Sequence, residues 1–251
     1  MFTQAPTHAA VIYHGPSMLD GEPIVVIATT SGRNRKTGKV VQTYILRADM
    51  DPRDANKSGA DYSICGDCPH RGTPTTSKRR KLAKGRSCYV NIAQGVLIVW
   101  KSWKRGTVYP PIQGHQPIKA LGAGKVVRLG TYGDPSAVPS WVWDSLIEDA
   151  VTHVGYTHQL GHPTADVRPD MCMISADSPA QAAAAHALGY RTFRVANSYA
   201  DMASNEIACP SRRGVQCTDC RLCSGTTKQA KSIVIQVHGP GSTNFAEAEA
   251  A

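Results

Sequence analysis

Two kinds of hydrophobic spacing divide the chain. In the first fifty residues, "EPIVVIATT" (Glu22 to Thr30) and "VVQTYILRA" (Val40 to Ala48) are rich in β-branched and aromatic residues. The polar, glycine-containing "SGRNRKTGK" between them reads as the loop of a β-hairpin. Residues 51 to 86 are rich in turn formers, and residues 88 to 103 admit a helix or, given "VLIVW", a strand. From Lys125 onward the pattern sharpens. "VVRLGTYGDP" predicts a buried strand ending in a turn. In "PSWVWDSLIEDAVTH", Val142, Leu146 and Ala150 share one stripe with Trp143, Ile147 and Val151 beside it, which predicts a helix. "VGYTHQ" and "MCMISA" read as strands. "DSPAQAAAAHALG" reads as a helix, with Ser178 as N-cap, Pro179 in the first turn, Gln181 closing a capping box and Gly189 as the stop. "RTFRVA" and "SIVIQVHG" complete the strands.

Strands alternating with helices predict an α/β fold with a parallel sheet, either a partial barrel or an open sheet. Five such strands lie between Val126 and Gly239, with "DYSIC" (Asp61 to Cys65) as a candidate sixth and residues 91–103 and 205–208 as further contributors. The expected organisation is an N-terminal β-hairpin region over 1–60, a main α/β unit over 61–240 and a flexible tail over 241–251.

A hydrophobic fraction of 41% in 251 residues supports a real core. The longest apolar run, Gly95 to Trp100, is far shorter than the roughly 20 residues a bilayer span needs. The N-terminus shows no secretion signal, so a cytoplasmic, reducing setting is expected. There, eight cysteines point to metal before disulfides. The net charge of +9 concentrates in "RNRKTGK" (33–39) and "SKRRKLAKGR" (77–86), runs suited to nucleic-acid phosphates or, on the simpler reading, to a solvated loop.

The chemistry sits in the cysteines. Cys209, Cys217, Cys220 and Cys223 are spaced C-x7-C-x2-C-x2-C, close enough for a short loop to wrap them around a [4Fe–4S] cluster or zinc. Cys65, Cys68 and Cys88 form a second set, C-x2-C-x19-C, which leaves one position open as a catalytic metal requires. Two alternatives close that position: His70 as a fourth ligand, or Cys65 and Cys68 joined with Cys220 and Cys223 in one zinc ribbon. Cys172, between apolar residues, reads as a buried small hydrophobe. His153, His158 and His162 fall within ten residues, and Asp177 follows a strand end; all four also have ordinary structural readings, as do Arg128 and Tyr132 as substrate contacts.

The order of "VVRLGTYGDPSAVP", "LIEDAVTHVGYTHQ" and "MCMISADSPAQAAAAHALGYRTFRV" resembles the body of radical S-adenosylmethionine enzymes. That resemblance implies a partial (βα)6 TIM-like barrel with Cys-rich metal-binding loops. Cys65, Cys68 and Cys88 would bind a reactive [4Fe–4S] cluster, with S-adenosylmethionine on its fourth iron. Gly133, Asp134 and Pro135 resemble the family's cofactor-binding turn, with Asp where Glu is usual. The downstream cysteines resemble an auxiliary-cluster segment. The family's C-x3-C-x2-C loop is replaced here by a spacing of nineteen residues between Cys68 and Cys88, an excursion that can loop out at modest closure cost. The chain as a whole also resembles bacteriophage-encoded proteins, which implies a host cytoplasm. The expected function is an iron–sulfur enzyme acting on a nucleic acid or nucleotide. The alternative is a non-enzymatic, zinc-stapled nucleic-acid-binding protein.

Overall fold

The computed structural model describes residues 8–30, 37–226 and 229–248; Arg33 to Lys36 of the first basic run and the last three residues of the expected tail lie outside these. Among the described residues, ten strands form two five-stranded sheets. The first contains β1 (Ala9–Pro16), β2 (Pro23–Thr29), β3 (Val40–Arg47), β4 (Val126–Tyr132) and β5 (Thr152–Val154), in that order. The second contains β6 (Tyr156–Thr157), β7 (Met173–Ala176), β8 (Thr192–Ala196), β9 (Glu206–Ala208) and β10 (Ser232–Gln236), in the order β6-β7-β8-β10-β9. The pairs β1–β2 and β2–β3 are antiparallel, as a hairpin region predicts, and every later pair is parallel. Gly155 alone separates β5 from β6.

The helices are α1 (Pro52–Ser58), α2 (Tyr62–Cys65), α3 (Leu97–Lys104), α4 (His115–Gly122), α5 (Ser140–Ile147), α6 (Pro179–Ala187), α7 (Cys217–Cys220) and α8 (Ser242–Ala248). Among the described residues, no helix is long and apolar enough to cross a membrane. The main core packs the first sheet, including Ile24 to Ala28 of β2, against Ile118, Leu121, Val142, Trp143 and Leu146 of α4 and α5.

α6 forms for the reasons its sequence gives: the Ser178 hydroxyl accepts from Gln181 N, and Gly189 takes φ 84° after the last turn. The Gln181 side chain reaches back to Asp177 N, one residue before the cap. Three expectations are corrected. "DYSIC" is the short helix α2, held by Asp61 at its start and ended by Gly66, not a strand. Residues 91–103 are helical, with a kink at Gln94, and supply no strand. The segment after residue 240, expected as a flexible tail, contains α8, whose Phe245 is fully buried and stacks on His70. The 205–208 segment does contribute a strand, β9.

β8 and β9 are tied by Arg194 and Glu206, whose side chains are 1% and 2% exposed and 2.8 Å apart. Asp201 adds a second carboxylate to Arg194 at 3.2 Å. Removing one member of such a pair strands the other charge in the interior. Arg194→Met is expected to cost about 3–5 kcal/mol by urea unfolding, and Arg194→Met combined with Glu206→Met markedly less. A double variant less stable than Arg194→Met would show that the pair is not what holds this edge.

Candidate functional site

A cavity of about 560 Å³ opens between the parallel strands, lined by alternate side chains: Arg128 and Tyr132 of β4, Tyr156 of β6, Ser175 of β7, Val195 of β8 and Ile235 of β10. All seven cysteines of the two sequence sets line it as well. Cys172 does not: it is buried in the main core.

Cys65, Cys68 and Cys88 come together, each within electrostatic reach of the others. Arg71 pairs with Asp61 at 2.7 Å and donates to the carbonyls of Gly59 and Gly66, fixing the C-x2-C loop. Gln159, at the end of the β6 segment, donates to Cys65 O and Asp134 Oδ2 and accepts from Asp67 N. Gly66 permits this brace: it has φ 53°, and a Cβ there would meet Gln159 Oε1 at 2.1 Å. Cys88 is brought back by paired Thr73 and Lys84 backbones, each donating to the other at 2.8 Å. Cys88 N then donates to His70 O, and buried Arg86 donates to the carbonyls of Cys88 and Val90. The excursion between Cys68 and Cys88 is thus looped out and closed at its base.

The second group gathers from β9, α7 and the loop after it. Cys217 and Cys223 are within electrostatic reach of Cys209, Cys220 and each other. Arg191 clamps the loop by donating to the carbonyls of Leu222, Gly225 and Lys231. Gly225, φ 62°, packs so tightly on the Pro169–Asp170 turn that a Cβ would lie 2.6 Å from both carbonyl oxygens. Thr218 N donates to Thr37 O, which ties α7 to the segment leading into β3.

One set of three potential ligand atoms among the described residues lies within 4.8 Å of one another, and it belongs to His70, His158 and Asp177; no three cysteine sulfurs lie that close together. A single zinc ion, with Zn–S of about 2.3 Å, draws its thiolates to within about 3.8 Å of each other. Among the described residues, no three sulfurs, and no pair of sulfurs with His70, lie within 4.8 Å of one another. Cys65 and Cys68 do not join Cys220 and Cys223 in a tight four-sulfur set. His70 instead bonds Asp177 at 2.7 Å and Ser87 Oγ at 2.8 Å.

Burial raises the thiols of Cys65, Cys88 and Cys217 and pushes Cys223 up to about 12. Burial works to lower His158, but Cys68 and Asp177 outweigh it and hold the imidazole well above its ordinary range. Burial likewise works to raise Asp177, and its bonds to His158 and His70 hold it below the carboxylate range. Tyr132 is raised by burial and then by Cys65, and its hydroxyl is enclosed with no hydrogen-bond partner.

Of the three clustered histidines, only His158 lines the cavity. His153 bonds Asp170 O, and His162 bonds the Tyr62 hydroxyl at 2.9 Å. Asp134 lines the cavity with Gly133, but its carboxylate is occupied: it caps a short 3₁₀ turn through Ser136 N and accepts from His158 N and Gln159 Nε2. No sequence signal joined His70 to Asp177, because 107 residues separate them. Comparison with protein-family models, curated proteins and solved structures finds no match to this chain.

The raised thiols set a pH dependence. An unfolded cysteine titrates near 8.5, so above that pH the folded chain holds more protons than the unfolded one. The stability this supplies is complete below about pH 8.5 and is lost as pH climbs toward the folded values. Reduced, chelator-treated protein should therefore unfold at lower urea at pH 9.5 than at pH 7.5; equal midpoints would contradict the burial of these thiols.

Proposed function

We propose that this chain is an iron–sulfur enzyme of the radical S-adenosylmethionine type, acting on a nucleotide or nucleic acid. The observation that carries the reading is a set of three thiols, Cys65, Cys68 and Cys88, gathered on a cavity that a four-thiol group also faces. The nearby His70 imidazole bonds Asp177 at 2.7 Å, and His158 Nε2 lies 3.3 Å from the same carboxylate. The C-x7-C-x2-C-x2-C spacing of the second group suits a [4Fe–4S] cluster, whose cubane binds each thiolate to a different iron. The enclosed Tyr132 hydroxyl beside Cys65 and Cys88 also fits a sulfur-rich acceptor there.

The strand order supports a partial (βα)6 barrel. β3, β4, the β5–β6 pair, β7, β8 and β10 follow one another in parallel and in chain order, with only Gly155 between the sheets. The N-terminal hairpin strands extend the first of them, and β9 adds an outer edge.

S-adenosylmethionine would meet the Gly133–Asp134–Pro135 turn at Gly133, because the Asp134 carboxylate already accepts three hydrogen bonds and the Asp134 N–H and the Asp134 and Pro135 carbonyls are bonded within the protein. When bound at the three-cysteine cluster, it supplies one-electron chemistry. The chain's own residues do the rest. Gln159 fixes the cysteine loop against the turn. Asp177 orients His158 beside Cys68. Val195, Ile233 and Ile235 of the strands give the cavity an apolar wall.

The excursion between Cys68 and Cys88 carries exposed Lys78, Arg79, Arg80, Lys81 and Lys84, which suits phosphate contacts on a nucleic acid. The same residues favour the second reading, a zinc-stapled nucleic-acid-binding protein, and metal content separates the two.

Protein purified without oxygen is expected to be brown, with about eight irons per chain from two cubanes, and Cys88→Ala to keep about four. Added S-adenosylmethionine should change the electron paramagnetic resonance spectrum of reduced wild type and leave that of Cys88→Ala unchanged. Colourless, zinc-containing protein would reject the enzyme reading; loss of all iron in Cys88→Ala would reject two independent sites.

A further inference from the structure

Among the described residues, the enclosed arginines meet carboxylates or backbone carbonyls, with one exception. Arg47 pairs with Glu22 and Asp49, Arg71 with Asp61, and Arg194 with Glu206 and Asp201. Arg86 and Arg191 spend their guanidinium groups on backbone carbonyls. Arg128 differs. It is half-buried, its hydrogen bond goes to the Tyr89 hydroxyl, its Nε is enclosed with no partner (as is that of Arg191), and among the described residues no carboxylate lies within 4.0 Å of it. It lines the cavity directly. A permanently charged group in such a setting is costly unless an anion meets it.

The position gives this cation a purpose. Arg128 lies within electrostatic reach of Cys217, whereas Tyr132, four residues further along β4, is within reach of Cys65 and Cys88. β4 therefore runs from one cysteine group toward the other, over a distance on the order of 10 Å. Aromatic rings surround the guanidinium: Tyr89 has its ring centre 5.9 Å away, and Tyr156, also within electrostatic reach, packs on Phe193 at 4.2 Å. Planar walls and a fork of donors suit an oxyanion joined to a flat or apolar body.

The geometry points to Arg128 as an oxyanion subsite: it holds the carboxylate or phosphate of a small-molecule substrate whose opposite end reaches toward Cys65, Cys68 and Cys88. This rests on the cavity being the reaction site proposed above, and it narrows the substrate from any nucleic acid to a small anion, about a nucleotide or less in length. The exposed lysines of the 77–86 run lie outside the cavity lining and belong to a different surface.

The test uses the full chain, loaded with iron under anaerobic conditions. Inorganic phosphate and, separately, acetate are titrated calorimetrically into wild type, Arg128→Gln, Arg128→Lys and a variant with Lys78, Arg79, Arg80 and Lys81 all changed to Gln. At least one anion should bind wild type, and the choice between them identifies the chemistry as phosphate ester or carboxylic acid. Arg128→Gln should weaken it about tenfold or more, the loss expected for a charge-assisted bidentate pair. Arg128→Lys should weaken it severalfold, because a point charge cannot reproduce the fork, and it decides the matter if the Gln variant fails to fold. The surface variant should bind as wild type does. Binding of neither anion, unchanged affinity in the Arg128 variants, or loss in the surface variant alone would overturn the subsite. Iron is counted on the same samples. Full iron without anion binding sinks only this inference, and Arg128-dependent binding without iron sinks only the enzyme reading.

Discussion

Burial favours the protonated thiol, and it raises Cys65, Cys88, Cys217 and Cys223, four of the seven cysteines that face one cavity. Burial takes Cys223 up to about 12, so a thiolate there is costly without a compensating positive charge. The rest of the structure serves that requirement: it must carry sulfur atoms from distant segments to one place without linking them to each other. It does so largely with braces that grip backbone rather than sulfur. Arg71, Arg86 and Arg191 each hold carbonyls in the cysteine loops, and Gln159 spans Cys65 O and the Asp134 carboxylate. The loops are thereby fixed while the thiols stay available.

Where the sequence was legible, the signal was local. The Ser178 cap and Gly189 stop frame α6, and the β-branched run at Val126 forms β4, because each depends on neighbours within one turn or one strand. "DYSIC" misleads because five residues are too few for period 2 and period 3.6 to separate; the ion pair of Asp61 with Arg71 and the positive φ of Gly66 decide it as helix. α1 had a usable signal, Asp51 as N-cap and Pro52 at the first position, hidden by the surrounding turn formers. The meeting of His70, His158 and Asp177 had none, since it exists only once α2, β6 and β7 have packed.

Charge was the least readable property. The run from Ser77 to Arg86 looks uniform in composition, yet Lys78 to Lys81 are exposed while Arg86 is buried and holds Cys88 in place. A count of basic residues therefore overstates the surface available to a polyanion. It also hides the cations that matter inside, where Arg47, Arg71 and Arg194 are neutralised by the protein's own carboxylates and Arg128 is left facing a cavity.

The nineteen residues between Cys68 and Cys88 also change meaning once folded. Lengthening a closed loop from about three residues to about nineteen costs roughly 1.5 kcal/mol, at about 0.6 kcal/mol per doubling. Against this stand two mutual backbone hydrogen bonds between Thr73 and Lys84, worth about 0.5–1.5 kcal/mol each, and the Arg86 clamp on the carbonyls beyond them. The gains match or exceed the entropy, so the chain can carry a basic, exposed excursion between two neighbouring thiols without loosening either. Spacing along the sequence is thus a poor criterion for a metal loop when its base is closed by its own ladder. What has to be short is the distance between Cys68 and Cys88 in space, and the Thr73–Lys84 pair and the Cys88 N–H to His70 carbonyl bond keep it so.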